Sequence, residues 1–402
     1  TVHSSYFLIE VTVMEPAGAI IFLPRESGKQ PTLLKKLLFQ PGAVWLAEAL
    51  KTHGVKNFLV VCQDGDREVV AACFPEDAEL VTEGSPGAAE KLAAFLSVQE
   101  GEVAVVTEPV LLRCSDSKRA FMMTGEPTTG LCTVSAAVLT QALAAGEEFS
   151  AALSGRGDRE GLAKLAVPLR DCSGEDWMMN EMYARQFTSI RLIDQGVRVI
   201  DPNAVYVDPT VTVGEGTVIL PGTILRGRTV IGRDCEIGPN TMITDCTVGD
   251  HVVVNASQLN ESVIEDGVKI GPFAYIRPHC HVGPGVKVGD FVELKNSTIG
   301  PETKISHLTY VGDSDVGGHV NFGCGTVTVN YDGSAKFRTI IGDGAFLGCN
   351  TNLVAPVKVG AGAYTAAGST ITDDVPDDSL AIARSLQVNK KQWALKRRKR
   401  KT

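Results

Sequence analysis

From Gly196 onward the chain keeps a six-residue beat: an aliphatic residue, then Gly, Asp or Asn, then a small residue four positions after the aliphatic. "VGEGTV" (213–218), "IGRDCE" (231–236), "IGPFAY" (270–275), "VGPGVK" (282–287), "IGDGAF" (341–346) and "VGAGAY" (359–364) are instances. This grammar predicts a parallel β-helix, in which three hexads make one triangular coil and residues about eighteen apart stack. The leading aliphatic of each hexad is expected to fill the prism core, and most other positions to face out. A prism of this kind exposes long faces, so oligomerisation through them is expected. "VTVNYDGSAKFRT" (327–339) does not thread as hexads and must leave the prism as a loop, of the sort that carries function.

Before Gly196 the period differs. "GAIIFL" (18–23), "KNFLVVC" (56–62) and "EVAVVTE" (102–108) read as buried strands. "TLLKKLLFQPGAVWLAEALKTHG" (32–54) and "GAAEKLAAFLSVQE" (87–100) carry helical spacing. Alternation of the two predicts an α/β domain with a parallel sheet and crossover helices. A mostly helical connector is expected over 172–193.

Composition narrows the class. Of 402 residues, 44% are hydrophobic and 21% charged, as in ordinary globular domains. No run of about 18 apolar residues is present, so no membrane partner is expected. The opening "TVHSSYFLIEVTVMEP" lacks a basic signal-peptide n-region, and a cytoplasmic protein is expected. The ten cysteines form no C-x-x-C pair, which argues for free thiols and against a disulfide framework or metal site. "KRRKRK" (396–401) carries six positive charges of a chain whose net is −9, leaving −15 elsewhere. Without aromatic interleaving it reads as a solvated terminus, and no nucleic-acid partner is expected.

"KISHLTYVGD" (304–313) holds two residues that a hexad does not need. His307 is the third residue of the hexad led by Ile305 and Tyr310 its last, so neither points into the core. Allowing for two five-residue steps, and counting the loop as one hexad, the third positions following His307 on the same edge are Cys324, Cys349 and Ala367. A polar head over a column of small side chains, at about 4.8 Å per coil, describes a narrow groove suited to a thin ligand such as a pantetheine arm. Arg277 and Lys295 occupy equivalent hexad positions eighteen apart. Two aligned cations near one histidine suggest a phosphate.

The run "ELKNSTIG…KISHLTYVGDSDVGGHVNFGCGTVTVNYDG…KFRTIIGDGAFLGCNTNLVAPVKVG" resembles the acetyltransferase half of the bifunctional N-acetylglucosamine-1-phosphate uridyltransferase / glucosamine-1-phosphate N-acetyltransferase family, over roughly 200–395. The resemblance implies a left-handed β-helix, a homotrimer with sites between subunits, and acetyl-CoA as cosubstrate. It implies that His307 is the general base for the amine of glucosamine 1-phosphate, with direct transfer. Arg277, Lys295, Tyr310, Asn321 and Lys336 match its substrate positions. Cys324, Asn330, Tyr331, Cys349, Ala367 and Arg384 match its coenzyme positions, with Cys324 and Cys349 replacing the more usual Ala and Ser. The domains implied are 1–172, nucleotidyltransferase-like; 173–196, a helical linker; 197–384, the β-helix; and 385–402, a basic arm.

The first domain matches less fully. "TTGLCTVSAAVLTQAL" (128–143) resembles the family's uridyltransferase fold, yet "PRESGKQP" (24–31) has one glycine where a Gly-rich phosphate loop belongs. "EGSPGAAEKL" (83–92) stands in the uridine segment, and "TEPVLL" (107–112) where a Gly-Asp supplies a magnesium ligand. Arg25, Lys29 and Glu108 are partial substitutes at most. A degenerate domain is expected, with magnesium relevant only if it is active. The rival expectations are a fully bifunctional enzyme and a trimeric scaffold with a partner-binding first domain.

Overall fold

The computed structural model describes residues 16–25, 29–114 and 130–398. They fall into two compact units, 1–229 and 230–402. The first unit opens on a five-stranded sheet in the order Glu79–Thr82, Asn57–Cys62, Gly18–Phe22, Glu102–Val106, Leu131–Ser135. The first four strands are parallel and the last is antiparallel. Its central strands are buried on both faces, as expected where helices cover a parallel sheet. Ala19, Ile21, Val60 and Val106 pack with the helix Gly42–Thr52 on one side. Ile20, Leu59, Val103 and Val105 pack on the other, with Leu96 of the helix Ala88–Ser97 and Leu139 of the helix Ala136–Ala144.

Two departures from the sequence reading have physical causes. The helix expected over 32–54 begins only at Gly42. Pro41 disfavours helical geometry at Gln40, and Leu38 at φ 54° turns a small hairpin between Lys36–Leu37 and Gln40–Pro41 instead. The strands Glu79–Thr82 and Leu131–Ser135 are too short and too polar to stand out as apolar runs.

The connector is the helix Gly174–Asp194, started by Ser173, whose Oγ accepts from Asp176 N at 3.2 Å. Near its end Arg191 is 7% exposed and donates to the carbonyls of Pro209 (2.6 Å) and Val211 (2.8 Å). The first coils also belong to this unit: Arg198–Val199 pairs with Val218–Ile219, and Tyr206–Val207 with Ile224–Leu225. Phe39 lies beneath the Arg226 guanidinium at 4.7 Å, and Gln40 donates to Asp208 at 3.3 Å.

The second unit is a left-handed parallel β-helix. Its first face runs through Lys269–Ile270, Lys287–Asp290, Lys304–His307, Asn321–Phe322, Phe346–Leu347 and Tyr364–Thr365. The second face includes Tyr275–Ile276, Glu293–Lys295, Tyr310–Gly312, Val327–Val329 and Asn352–Val354. The third includes His281–Val282, Thr298–Ile299, Ser314–Val316 and Thr339–Ile341. Hexad-leading residues such as Ile270, Val282, Ile299, Ile305 and Ile341 are buried, as the period requires. The excursion after Val329 is an ordered hairpin. Tyr331 and Lys336 bridge antiparallel, Phe337 N donates to Asn330 O at 2.9 Å, and Asp332 accepts from the amides of Ser334 and Ala335.

Candidate active site

On the first face the strands Lys287–Asp290 and Lys304–His307 place Asp290 directly opposite His307. His307 Nδ1 lies 2.7 Å from Asp290 Oδ1, with the ring 57% exposed. The hydrogen bond from His307 holds the Asp290 carboxyl below its ordinary value, so it is ionised at neutral pH. An ionised carboxylate only accepts, so Nδ1 presents a proton to Asp290, and in the neutral ring the lone pair is left on Nε2, directed away from Asp290. Leu308, at φ 46°, turns the corner just after the ring, and Thr309 Oγ1 ties that corner to His307 O at 2.7 Å.

The ladder continues in register. Asn321 pairs with Phe346 and Phe346 with Tyr364, which carries His307 through Cys324 and Cys349 to Ala367. Backbone bonds tie these rungs: Asn350 N to Cys324 O and Gly368 N to Cys349 O, both 2.8 Å. Cys324 is half-buried and Cys349 exposed, whereas Cys235, Cys246 and Cys280 of the same β-helix are buried. Arg384 lies against the far end of this column, since a Cβ on Gly368 would stand 3.8 Å from its Cδ.

The second face holds Arg277 and Lys295 on adjacent rungs, as the spacing predicts. Each already has a carboxylate. Arg277 Nη1 is 2.8 Å from Glu293 Oε1, and Lys295 Nζ is 3.1 Å from Asp313 Oδ2. Asp313, 5% exposed, also accepts from Asn296 Nδ2 (2.6 Å) and Asn330 Nδ2 (2.5 Å). Burial pushes its carboxyl up, but the bonds from Asn296, Lys295 and Asn330 outweigh burial and hold it below the ordinary value. Asn330 Nδ2 is 3.4 Å from Tyr310 OH as well. Gly312 makes room for this approach, because a Cβ there would meet Tyr310 OH at 2.2 Å and Asn330 Nδ2 at 2.8 Å.

The model for bacterial transferase hexapeptide (six repeats) matches residues 210–245, 261–296 and 338–373. The bifunctional protein GlmU of Clostridium kluyveri is 48% identical over 240 residues, 59% of this chain and 53% of that protein. GlmU of Carboxydothermus hydrogenoformans is 53% identical over 202 residues, 50% of this chain and 45% of that protein. Over the matched residues the chain is similar to the bifunctional protein GlmU and carries the hexapeptide repeats of bacterial transferases. It spans about half the length of the curated GlmU relatives it matches. The solved UDP-N-acetylglucosamine acyltransferase of Francisella novicida is similar at 17% identity, covering 50% of this chain and 73% of that one, with a TM-score of 0.29.

The residues singled out from the GlmU resemblance are brought together in two sets. Lys295 and Asn330 meet at Asp313, with Tyr310 OH beside Asn330, and His307, Cys324, Cys349, Ala367 and Arg384 line the column. Asn321 pairs with Lys304 on the first face. Tyr331, 55% exposed, donates to Gly333 O at 2.6 Å, and Lys336 is exposed on the same hairpin. Three residues were not anticipated: Asp290, Asp313 and Arg338. Counting one rung back from His307 reaches Asp290, so the stacking itself was the signal. Arg338 roots the hairpin, its Nε 2.9 Å from Asp315 Oδ2 and its Nη2 2.5 Å from Oδ1; nothing in the hexad pattern marks it.

In the sheet domain Arg25 is engaged by Asp66, with Nε to Oδ2 at 2.8 Å and Nη2 to Oδ1 at 2.5 Å. Glu108 follows the strand Glu102–Val106, its amide 3.3 Å from Gly130 O. Residues 26–28 of the expected phosphate loop, residues 128 and 129 of the matched segment and residues 399–402 of the basic arm lie outside the described residues. Among the described residues no group of three or more His, Cys, Asp or Glu is placed to hold a metal ion. No helix among them is long and apolar enough to cross a membrane. A separate open groove lined by Asp245, Glu261, His279 and His281 contains none of the anticipated residues.

Proposed function

We propose that the protein transfers an acetyl group from acetyl-CoA to the amine of glucosamine 1-phosphate, with His307 as general base. The observation that carries this reading is the Asp290–His307 contact at the head of the small-residue column. Nε2 takes a proton from the amine as its nitrogen attacks the thioester carbonyl, the new C–N bond forms and the C–S bond breaks. The proton then passes to the departing thiolate, so no acyl-enzyme is needed. Cys324, Cys349 and Ala367 floor the pantetheine groove, with Asn330, Tyr331 and Arg384 beside it. Arg277, Lys295, Tyr310, Asn321 and Lys336 receive the sugar phosphate. Because Arg277 and Lys295 are already paired, phosphate recognition requires the ligand to share or displace their carboxylates.

In this reading residues 1–172 form a degenerate nucleotidyltransferase-like domain, 173–196 the linker, 197–384 the acetyltransferase and 385–402 the basic arm. The protein is a cytoplasmic homotrimer. The test is direct: supply acetyl-CoA with glucosamine 1-phosphate and measure free CoA, then separately supply UTP, magnesium and N-acetylglucosamine 1-phosphate. Acetyl transfer without UDP-sugar formation is expected. Absence of CoA release overturns the acetyltransferase reading, and UDP-sugar formed at a comparable rate overturns the degenerate first domain.

A further inference from the structure

We propose that Cys324 and Cys349 form a vicinal dithiol that peroxide closes to an intramolecular disulfide, and that this closure shuts the column to CoA. The second half of the statement rests on the coenzyme reading above; the first half does not. The two thiols occupy equivalent positions on adjacent rungs, each two residues beyond its strand in the pair Asn321–Phe322 and Phe346–Leu347. Each is followed by a left-handed residue, Gly325 at φ 76° and Asn350 at φ 54°, so the same turn sends both side chains off the same corner. Asn350 N to Cys324 O, 2.8 Å, holds the rungs at ladder distance. Strand spacing of about 4.8 Å falls within the roughly 4.4–6.8 Å between Cα atoms that a disulfide spans.

Their setting differs from that of the other thiols in the prism. Burial pushes the Cys246 thiol up to about 11 and raises that of Cys280, which leaves both poor nucleophiles. Cys324 and Cys349 stand outside that core. One thiolate attacks the peroxide O–O bond, giving a sulfenic acid and one water. The second attacks that sulfur, forming the S–S bond and releasing another water. Two thiols and one peroxide thus become one disulfide and two waters. The bridge ties two rungs together across the floor between His307 and Ala367.

The experiment uses the reduced full chain, treated with a few equivalents of hydrogen peroxide, alkylated and mapped by mass spectrometry. CoA affinity is measured by calorimetry before oxidation, after it and after dithiothreitol. The expected result is a linked 324–349 peptide within one chain and about tenfold or greater weakening of CoA binding, ~1.4 kcal/mol, restored by dithiothreitol. Saturating CoA should slow the link. Cys324→Ala and Cys349→Ala should each give no link and no reversible change, read as the ratio of oxidised to reduced affinity within each variant. Sulfinic acids without a link, or links only between chains, overturn the dithiol. A mapped link with unchanged CoA affinity overturns the closure. Failure of the reduced protein to bind CoA overturns the coenzyme reading, while the mapped link decides the dithiol independently.

Discussion

In the sheet domain Asp66 takes both Nε and Nη2 of Arg25, and in the β-helix Asp290 takes one ring nitrogen of His307. A guanidinium never gives up its charge, so the first contact neutralises a cation and leaves it little for a triphosphate. An imidazole has two nitrogens with separate roles. There the same carboxylate chemistry fixes the tautomer and frees Nε2. A carboxylate partner therefore occupies the cation in one and orients the ring in the other.

Substitutions at four positions press on that contrast. His307→Ala should lower kcat for acetyl transfer by about 10²–10⁴-fold, the usual worth of a positioned general base. Near-full turnover in a kinetic assay would remove the ring from the chemistry. Asp290→Ala should cost less, on the order of 10–100-fold in kcat, with KM for both substrates nearly unchanged, because the ring remains but its orientation and tautomer are no longer fixed. A loss confined to KM would make Asp290 a substrate contact instead.

Asp313→Ala strips a buried acceptor from Asn296, Lys295 and Asn330 and should destabilise the β-helix by about 1–3 kcal/mol in denaturant titrations. Since the folded carboxyl lies below its ordinary value, its contribution is complete above the unfolded pKa of about 3.9 and fades as pH falls through the lower folded value. The gap between wild type and Asp313→Asn should thus be constant near neutrality and narrow only below about pH 4; a gap that widens on acidification would contradict the assignment. The smallest effect on acetyl transfer is expected from Arg25→Met, less than about twofold, even as the thermal transition of the sheet domain falls. A large change in CoA release would mean that the Arg25–Asp66 pair acts on the acetyl-transfer site.

The β-helix was legible because its neighbours are set by arithmetic. Residues one coil apart touch, so Ile305 is read as core, and His307, Cys324 and Cys349 as one edge, without knowing any angle. The same count reaches Asp290, though only once the short steps are fixed. Asp313 was hidden because it sits at a corner, at φ 49°, where the hexad places no defined side chain. Spacing also aligned Arg277 with Lys295 but did not disclose their partners, Glu293 and Asp313, since charge pairing depends on side-chain direction. In the sheet domain adjacency comes from crossover topology instead. Nothing in "ELVT" or "LCTVS" states that each forms a sheet edge.

Arg191 bears on how a stack of rungs begins. Through the ladder, each amide donates to the carbonyl of the following rung, as Tyr206 N does to Thr223 O and Thr212 N to Thr229 O. Carbonyls of the first rung therefore have no preceding strand to serve them. An unserved row of this kind is the template on which a second solenoid adds end to end. The guanidinium of Arg191 donates to two of these carbonyls, those of Pro209 and Val211, and stands in for the missing strand. One side chain thereby satisfies two carbonyls that the ladder itself does not reach.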